Sequence, residues 1–131
     1  MKKLLKLVLC FVMLFLIVGC KDNKQESIEE TKNITVVIVG EKDQELFSKQ
    51  IETSRDKLVD VLNDEKVSLV IEDGPYGAYI TSLMELKEKS TKKGMYYWAY
   101  YINDEYADTG ISNCVIKDGK TYKFVYEYYE N

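Results

Sequence analysis

The sequence predicts an α+β domain, in which one helix packs on a mixed, mostly antiparallel sheet. Three observations carry this prediction: a β-branched run near residue 34, a single amphipathic segment near residue 58, and several extended aromatic runs in the second half. A chain of 131 residues is also the size of one domain. Because strands lie on both sides of a single helical segment, the pattern favours α+β over repeated β-α units.

The first two strands come from the start of this domain. Ile34 to Val39 (ITVVIV) is β-branched throughout and predicts a strand. Gly40 to Asp43 supplies turn residues, after which Leu46 to Ile51 could return as an antiparallel second strand. The pattern therefore predicts a hairpin at the start of the domain.

The one helix is predicted over Arg55 to Leu62, with a hydroxyl of Thr53 or Ser54 as its cap. Three apolar side chains would share its buried face: Leu58, Val61 and Leu62. This face is expected to pack on the sheet.

Four segments follow before the aromatic strand. Val67 to Ile71 is apolar and predicted to be extended, and Asp73 to Gly77 (DGPYG) is a strong turn signal. Tyr79 to Leu83 could form another strand. Glu85 to Lys93 is a charge run, typical of a solvated loop or a short frayed helix.

The last third of the chain predicts further strands. Tyr96 to Ile102 (YYWAYYI) is a strand that Asn103-Asp104 would turn back through Tyr106. Val115-Ile116 and Tyr122 to Tyr128 lie on either side of Asp118-Gly119, which predicts a hairpin.

Residues 1–19 are typical of a secretory signal, with three early lysines followed by an apolar run from Leu7 to Val18. The ending Ile17-Val18-Gly19-Cys20 resembles a bacterial lipobox, in which cleavage precedes a cysteine that carries the lipid. Cys20 is therefore the predicted lipidation site, and the protein is expected on the extracytoplasmic face of the cell membrane. An uncleaved signal anchor and a signal cleaved elsewhere are the alternatives.

Residues 20–33 hold the lipidated cysteine and a polar segment without aromatic residues, which predicts a flexible tether. Residues 34–131 form the predicted domain. Cleavage would remove three lysines, so the formal charge of −4 would become −7. Of the three cysteines, only Cys114 would remain unmodified in the mature chain, and we expect it to be a small buried hydrophobe.

Composition excludes several classes of site. The chain contains no histidine, which excludes Ser-His-Asp catalysis and histidine-ligated zinc or haem. The acidic balance argues against nucleic-acid binding. No nucleophile with a neighbouring base is recognisable, so we expect no enzyme, no catalytic residues, no metal site and no required cofactor.

All eleven tyrosines lie between Tyr76 and Tyr129. Strand period places Tyr96, Trp98 and Tyr100 on one face of their strand, and Tyr97 and Tyr101 on the other. Two interpretations stay open. The tyrosines are ordinary strand residues, or some form an exposed aromatic platform for a ligand or partner.

Three segments together resemble the DUF4430 family, which is similar to the C-terminal domain of transcobalamin. They are Gly74 to Leu83 (GPYGAYITSL), Gly94 to Asn103 (GMYYWAYYIN) and Asp118 to Glu127 (DGKTYKFVYE). The resemblance covers about Ile34 to Glu127, although Asp104 stands where the family usually has a glycine. It implies a β-grasp-like fold and ligand binding, with a cobalamin-like corrinoid as the ligand.

This resemblance and the aromatic pattern select the candidate ligand-binding residues. They are Tyr76, Tyr79, Trp98, Tyr100 and Tyr101, with Asn103 supporting the turn. For Trp98, a core role that supports the helix is the alternative. The predicted function is capture of a small molecule, or its delivery to a vitamin transporter, at the membrane surface. The alternative function is a protein-interaction module that docks another cell-envelope protein.

Overall fold

A computed structural model describes residues 30–131, which contain one α-helix, nine strands and two 3-10 turns. The signal sequence, Cys20 and most of the predicted tether lie outside the described residues. The helix α1 spans Leu58–Asp64. The strands are β1 Lys32–Val39, β2 Glu45–Thr53, β3 Val70–Glu72, β4 Tyr79–Leu83, β5 Leu86–Lys87, β6 Lys89–Ser90, β7 Gly94–Ile102, β8 Glu105–Tyr106 and β9 Thr121–Glu130. No helix within residues 30–131 is long and apolar enough to span a membrane.

The larger sheet has the strand order β2-β1-β9-β7-β6, and β8 also pairs with β7. β1 and β9 run parallel in its centre, and every other pair in this sheet is antiparallel. The first and last strands of the domain are therefore neighbours. This confirms the predicted α+β, β-grasp-like arrangement with a mixed, mostly antiparallel sheet.

One face of the large sheet is covered by α1 and by a smaller antiparallel sheet of β3, β4 and β5. The predicted helix face is confirmed, because Leu58, Val61 and Leu62 are fully buried. The main core residues of the large sheet come from alternate positions on β1, β7 and β9: Ile34, Val36, Ile38, Trp98, Tyr100, Tyr122, Phe124 and Tyr126. Cys114 is buried beside them, as predicted, and burial raises the pKa of its thiol.

The helix begins later than the sequence predicts, at Leu58 rather than Arg55. Thr53 belongs to β2, where it pairs with Lys32. Lys57 is still extended, because it forms a bridge with Val115, and it provides no side-chain cap. Long-range pairing thus keeps residues extended that local propensity assigns to a helix.

The sequence predicts a solvated loop or a short frayed helix for the charged segment Glu85 to Lys93. This prediction is wrong, because the segment contains the short strands β5 and β6. Met84 and Glu85 both have positive φ, of 52° and 66°, and form a tight turn after β4. This conformation suits a two-residue hairpin. The apolar segment Val67 to Ile71 is a strand only from Val70.

The predicted hairpin around Asp118-Gly119 is wrong. Val115 and Ile116 form no strand, and β9 pairs with β1 and β7 instead. The turn exists, with Gly119 at a φ of +80°, but it is bonded to the start of β1. The Asn33 N–H donates to the Asp118 carboxylate at 2.6 Å, and the Gly119 N–H donates to the Asn33 carbonyl at 2.8 Å.

Candidate functional site

A concave site of about 240 Å³ lies beside the centre of β7. Its walls are three chain segments, residues 74–80, 98–100 and 106–111. We refer to this site as the β7 pocket. It lies where the turn before β4, the outer edge of β7 and the loop after β8 meet.

Backbone hydrogen bonds hold two of these walls together. The Gly110 N–H donates to the Tyr76 carbonyl and the Ile111 N–H donates to the Ala78 carbonyl, each at 2.8 Å. A side chain at residue 110 would not fit between them, since a Cβ there would lie 2.4 Å from the Gly77 carbonyl carbon. The absence of a side chain on Gly110 therefore permits this close approach.

The floor of the pocket consists of buried apolar and aromatic side chains. Trp98 is 7% exposed, and its Nε1–H donates to the Leu86 carbonyl at 2.8 Å. The Tyr100 hydroxyl donates to the Thr109 carbonyl at 2.6 Å, and burial raises the pKa of this hydroxyl. Because both polar groups are bonded to the protein, these rings offer mainly apolar surface to a ligand.

Exposed tyrosines form the rim. Tyr76 is 79% exposed, Tyr106 is 63% exposed and Tyr79 is 43% exposed. The Tyr79 hydroxyl donates to Glu72 at 2.8 Å, and this hydrogen bond raises the pKa of Tyr79. Among the described residues that line the pocket, Asp108 is the one with a charged side chain. An apolar floor within a phenolic rim suits an amphipathic, largely neutral ligand.

The structure brings four of the six predicted residues together in this pocket: Tyr76, Tyr79, Trp98 and Tyr100. The other two lie elsewhere. Tyr101 points to the opposite face of the sheet, and the Asn103 side chain accepts the Thr121 N–H at 2.8 Å at the β7–β8 turn. Ligand contact at each of the six residues stays a prediction.

Asn103 and Asp104 both have positive φ, of 49° and 65°. They close a two-residue hairpin in which Ile102 pairs with Glu105. The turn predicted after β7 is therefore confirmed, and it places Tyr106 at the rim of the pocket.

Sequence reasoning missed Tyr106 and the whole of residues 107–111 as parts of the site. Strand period and the turn at Asn103 could have drawn attention to Tyr106. No local signal reveals that Gly110 lies against Gly77, because the two residues are far apart in the chain.

A second cluster lies on the opposite face of the large sheet. Tyr97 and Tyr101 both donate hydrogen bonds to the carboxylate of Glu127, which lies on β9. The bond to Glu127 raises the pKa of Tyr101 to about 12. Within residues 30–131, no group of three or more histidine, cysteine, aspartate or glutamate side chains is arranged to hold a metal ion.

Comparison with solved structures shows the same fold in proteins of low sequence identity. A protein from Ruminococcus gnavus ATCC 29149, described as a candidate metal-binding protein, superposes with a TM-score of 0.63 at 24% identity, covering 76% of this chain and 98% of that chain. Haptocorrin in complex with Cbi superposes with a TM-score of 0.64 at 14% identity and covers 78% of this chain. This chain corresponds to 26% of the haptocorrin chain.

The haptocorrin superposition confirms the fold that the resemblance to the transcobalamin C-terminal domain implies. No curated protein sequence matches this chain significantly. Residues 56–128 match the family described as "Domain of unknown function (DUF4430)". Because this match covers more than half of its length, the chain belongs to the DUF4430 family.

Proposed function

We propose that this chain is an extracytoplasmic lipoprotein, anchored to the cell membrane through Cys20, whose domain binds a small amphipathic molecule in the β7 pocket. The observation that carries the proposal is the pocket itself, with its buried floor around Trp98 and its rim of three exposed tyrosines. Large aromatic side chains left exposed around a concavity are typical of recognition sites.

A corrinoid is the first ligand class to test. Haptocorrin, which shares the fold, was solved in complex with Cbi. A corrinoid is larger than a cavity of about 240 Å³, so it would lie across the tyrosine rim with one edge inside. Such a ligand would be held by packing and hydrogen bonds, since the chain has no histidine to offer as an axial ligand. Delivery to a vitamin transporter would follow from capture at the membrane surface.

Metal binding has less support in this chain. The Ruminococcus gnavus protein is described as a candidate metal-binding protein, but residues 30–131 of this chain hold no cluster of metal-ligating side chains. The proposal therefore concerns an organic ligand.

Titration with a corrinoid panel tests the proposal. The full-length chain in detergent would be titrated while calorimetric heat and the fluorescence of Trp98, the one tryptophan, are recorded. We expect saturable binding that changes Trp98 emission. Corrinoids that give no heat at millimolar concentration would exclude a corrinoid as the ligand.

Two matched variants locate the site. Tyr106→Ala removes an exposed ring from the rim, and Tyr129→Ala removes a similarly exposed ring on β9, outside the residues that line the pocket. We expect the first to weaken binding about tenfold and the second to leave it unchanged. Trp98→Ala is a poorer control, because it also removes core packing and the hydrogen bond to Leu86.

The lipid anchor has its own test. Metabolic labelling with a radioactive fatty acid should label the wild-type chain and not Cys20→Ser. Cell fractionation should place the wild type with the membranes. A wild-type chain that carries no label would contradict anchoring through Cys20.

Exposed apolar residues outside the pocket favour the second candidate function, a protein-interaction module. Met95 and Tyr129 are paired across β7 and β9, and both are exposed. If this surface docks an envelope protein, cross-linking in cells should give a defined adduct that Tyr129→Glu abolishes. Tyr106→Glu is the matched control and should leave the adduct intact.

A further inference from the structure

The outer edge of β7 is unpaired where it borders the β7 pocket. β6 pairs with β7 at Met95 and Tyr96, and β8 pairs with it at Tyr101 and Ile102. Between these two short strands, the edge from residue 97 to residue 100 has no strand partner in the part of the chain that the structure describes. The other edge of β7 is paired with β9 along its whole length.

Backbone groups that point to this open edge can be identified from one hydrogen bond. The Tyr100 carbonyl accepts the Ala107 N–H at 3.0 Å, so the backbone of Tyr100 faces outwards. Alternate residues of a strand point their N–H and C=O groups to the same edge. The Trp98 N–H, the Trp98 carbonyl and the Tyr100 N–H therefore face outwards too. Among the described residues, the strand pairings on this edge stop at Tyr96 and Tyr101, and no turn or loop hydrogen bond reaches these three groups.

These groups face the pocket. Trp98, Ala99 and Tyr100 line it in direct succession. Successive side chains of a strand point to opposite faces of the sheet, so a cavity bordered by three consecutive residues lies against the backbone edge. Backbone donors and acceptors shielded from bulk water need a hydrogen-bond partner, and here a bound molecule can supply it.

An amide group has the matching chemistry. A primary carboxamide carries an N–H donor and a C=O acceptor side by side, and one residue of an added β-strand presents the same pair when the strand joins a sheet edge. An ester or a carboxylate offers acceptors but no donor for the Trp98 carbonyl. The Asp108 side chain on the pocket wall also disfavours an anionic ligand.

We propose that the β7 pocket recognises its ligand through an adjacent amide N–H and C=O, of which the N–H donates to the Trp98 carbonyl and the C=O accepts from the N–H of Trp98 or Tyr100. This inference rests on the proposed function, because it concerns the same pocket. This donor–acceptor pair has two sources: a primary carboxamide of a corrinoid, or the N–H and C=O of one residue in an extended peptide. Both present the same chemistry to the edge of β7.

Hydrogen exchange of the free, isotope-labelled full-length chain tests the edge itself. The N–H groups of Tyr97, Ala99 and Tyr101 face β9, whereas those of Trp98 and Tyr100 face the pocket. We expect the first three to exchange slowly and the last two to exchange at least about tenfold faster. Equal protection at all five positions would overturn the proposal, because the edge would then not be open.

Ligand pairs test the recognition. The corrinoid pair is cobinamide and the heptamethyl ester of cobyrinic acid, in which esters replace the amides on the same kind of macrocycle. The peptide pair is N-acetyl-dialanine amide and the depsipeptide with an ester at the central linkage. Titrations use the full-length chain in detergent, with empty micelles as the blank.

We expect the amide member of at least one pair to bind about tenfold more tightly than its ester, and to slow exchange at Trp98 and Tyr100. If the amide binds more tightly than the ester in only one of the two pairs, that pair identifies the source of the amide. Amide and ester of equal affinity, both perturbing the pocket, would overturn this inference and leave the proposed function intact. Binding by no probe would overturn this inference and exclude a corrinoid as the ligand of the proposed function.

Discussion

Tyr101 is the residue whose ionisation the fold changes most clearly. It donates a hydrogen bond to Glu127, and that bond, with burial and the carboxylate charge, raises its pKa from 10.0 to about 12. The same carboxylate accepts a hydrogen bond from Tyr97 at 3.0 Å, whose pKa is raised mainly by burial. Both phenols are thus stabilised in the protonated form.

We predict that the protein loses stability as the pH rises from 10 towards 12. In this window the folded state keeps the Tyr101 proton that the unfolded state releases, so the free energy of unfolding falls with pH. The contribution is fully present below pH 10, the ordinary pKa of tyrosine. Denaturant midpoints measured across this window, with phenolate absorbance followed in parallel, check the prediction.

Glu127→Gln should move the Tyr101 transition back towards pH 10, because the charged acceptor is gone. Glu130→Gln is the matched control, on the same strand but without a hydrogen bond to Tyr97 or Tyr101. An unchanged alkaline transition in Glu127→Gln would show that this carboxylate does not hold the proton.

At the scale of elements, the approach of residues 76–78 to residues 110–111 builds one corner of the pocket. The approach depends on Gly110, where a Cβ would contact the backbone of Gly77 and Ala78 at 2.4 to 2.8 Å. Both neighbours are backbone atoms, which cannot rotate away as a flexible side chain would. The two segments would have to separate to accept any larger residue.

We predict that Gly110→Ala lowers the free energy of unfolding by about 1–3 kcal/mol and also weakens ligand binding. Gly119→Ala is the control: its φ of +80° strains an alanine, yet no atom lies within 4 Å of the added Cβ. It should reduce stability without changing ligand affinity. Chemical denaturation and calorimetric titration of both variants separate the two effects, and equal affinity in wild type and Gly110→Ala would contradict this role.

β9 is the element that joins the two halves of the large sheet, since it pairs with both β1 and β7. Its alternate residues differ sharply in burial. Phe124 is fully buried on the face of the sheet that α1 covers, where its ring stacks with that of Tyr100. The adjacent Val125 is partly exposed on the opposite face.

We predict that Phe124→Ala lowers the free energy of unfolding by about 3–5 kcal/mol, because it leaves a cavity in the core. Val125→Ala on the neighbouring position should lower it by only about 1 kcal/mol. Urea denaturation of the two variants gives both values. Similar losses for the two would mean that the faces of β9 are not assigned correctly.

At the scale of the whole molecule, one apolar cluster connects α1, the large sheet and the small sheet. It contains residues from β1, α1, β4, β7 and β9, and the buried Cys114 makes no disulfide. The stability of the described domain therefore depends on a single packed core. A core of this kind unfolds as one unit.

We predict a single cooperative unfolding transition in which Trp98 fluorescence and far-ultraviolet circular dichroism coincide. Trp98 reports on the contact between the two sheets, because it lies on β7 and bonds the Leu86 carbonyl on β5. Circular dichroism reports on the sheets as a whole. Two separated midpoints would show that the small sheet unfolds independently.

Local sequence patterns determined several strands, the buried helix face and one hairpin turn of this protein. The β-branched run at Ile34 to Val39, the apolar face of α1, the strand at Tyr79 to Leu83 and the turn at Asn103-Asp104 are all present in the structure. These features follow from side-chain periodicity and turn chemistry, which act over a few residues. Four of the six predicted ligand-binding residues also share one pocket. For two of them, Trp98 and Tyr100, strand period had already predicted a common face.

Only the tertiary structure decided which strands pair and where the pocket closes. It placed β9 between β1 and β7, so the Asp118-Gly119 turn leads into no hairpin. It also set Gly110 against Gly77 and left the β7 edge open beside Trp98. The physical reason is that hydrogen bonds between strands and contacts between loops join residues distant in sequence, and no short pattern in either partner specifies the other.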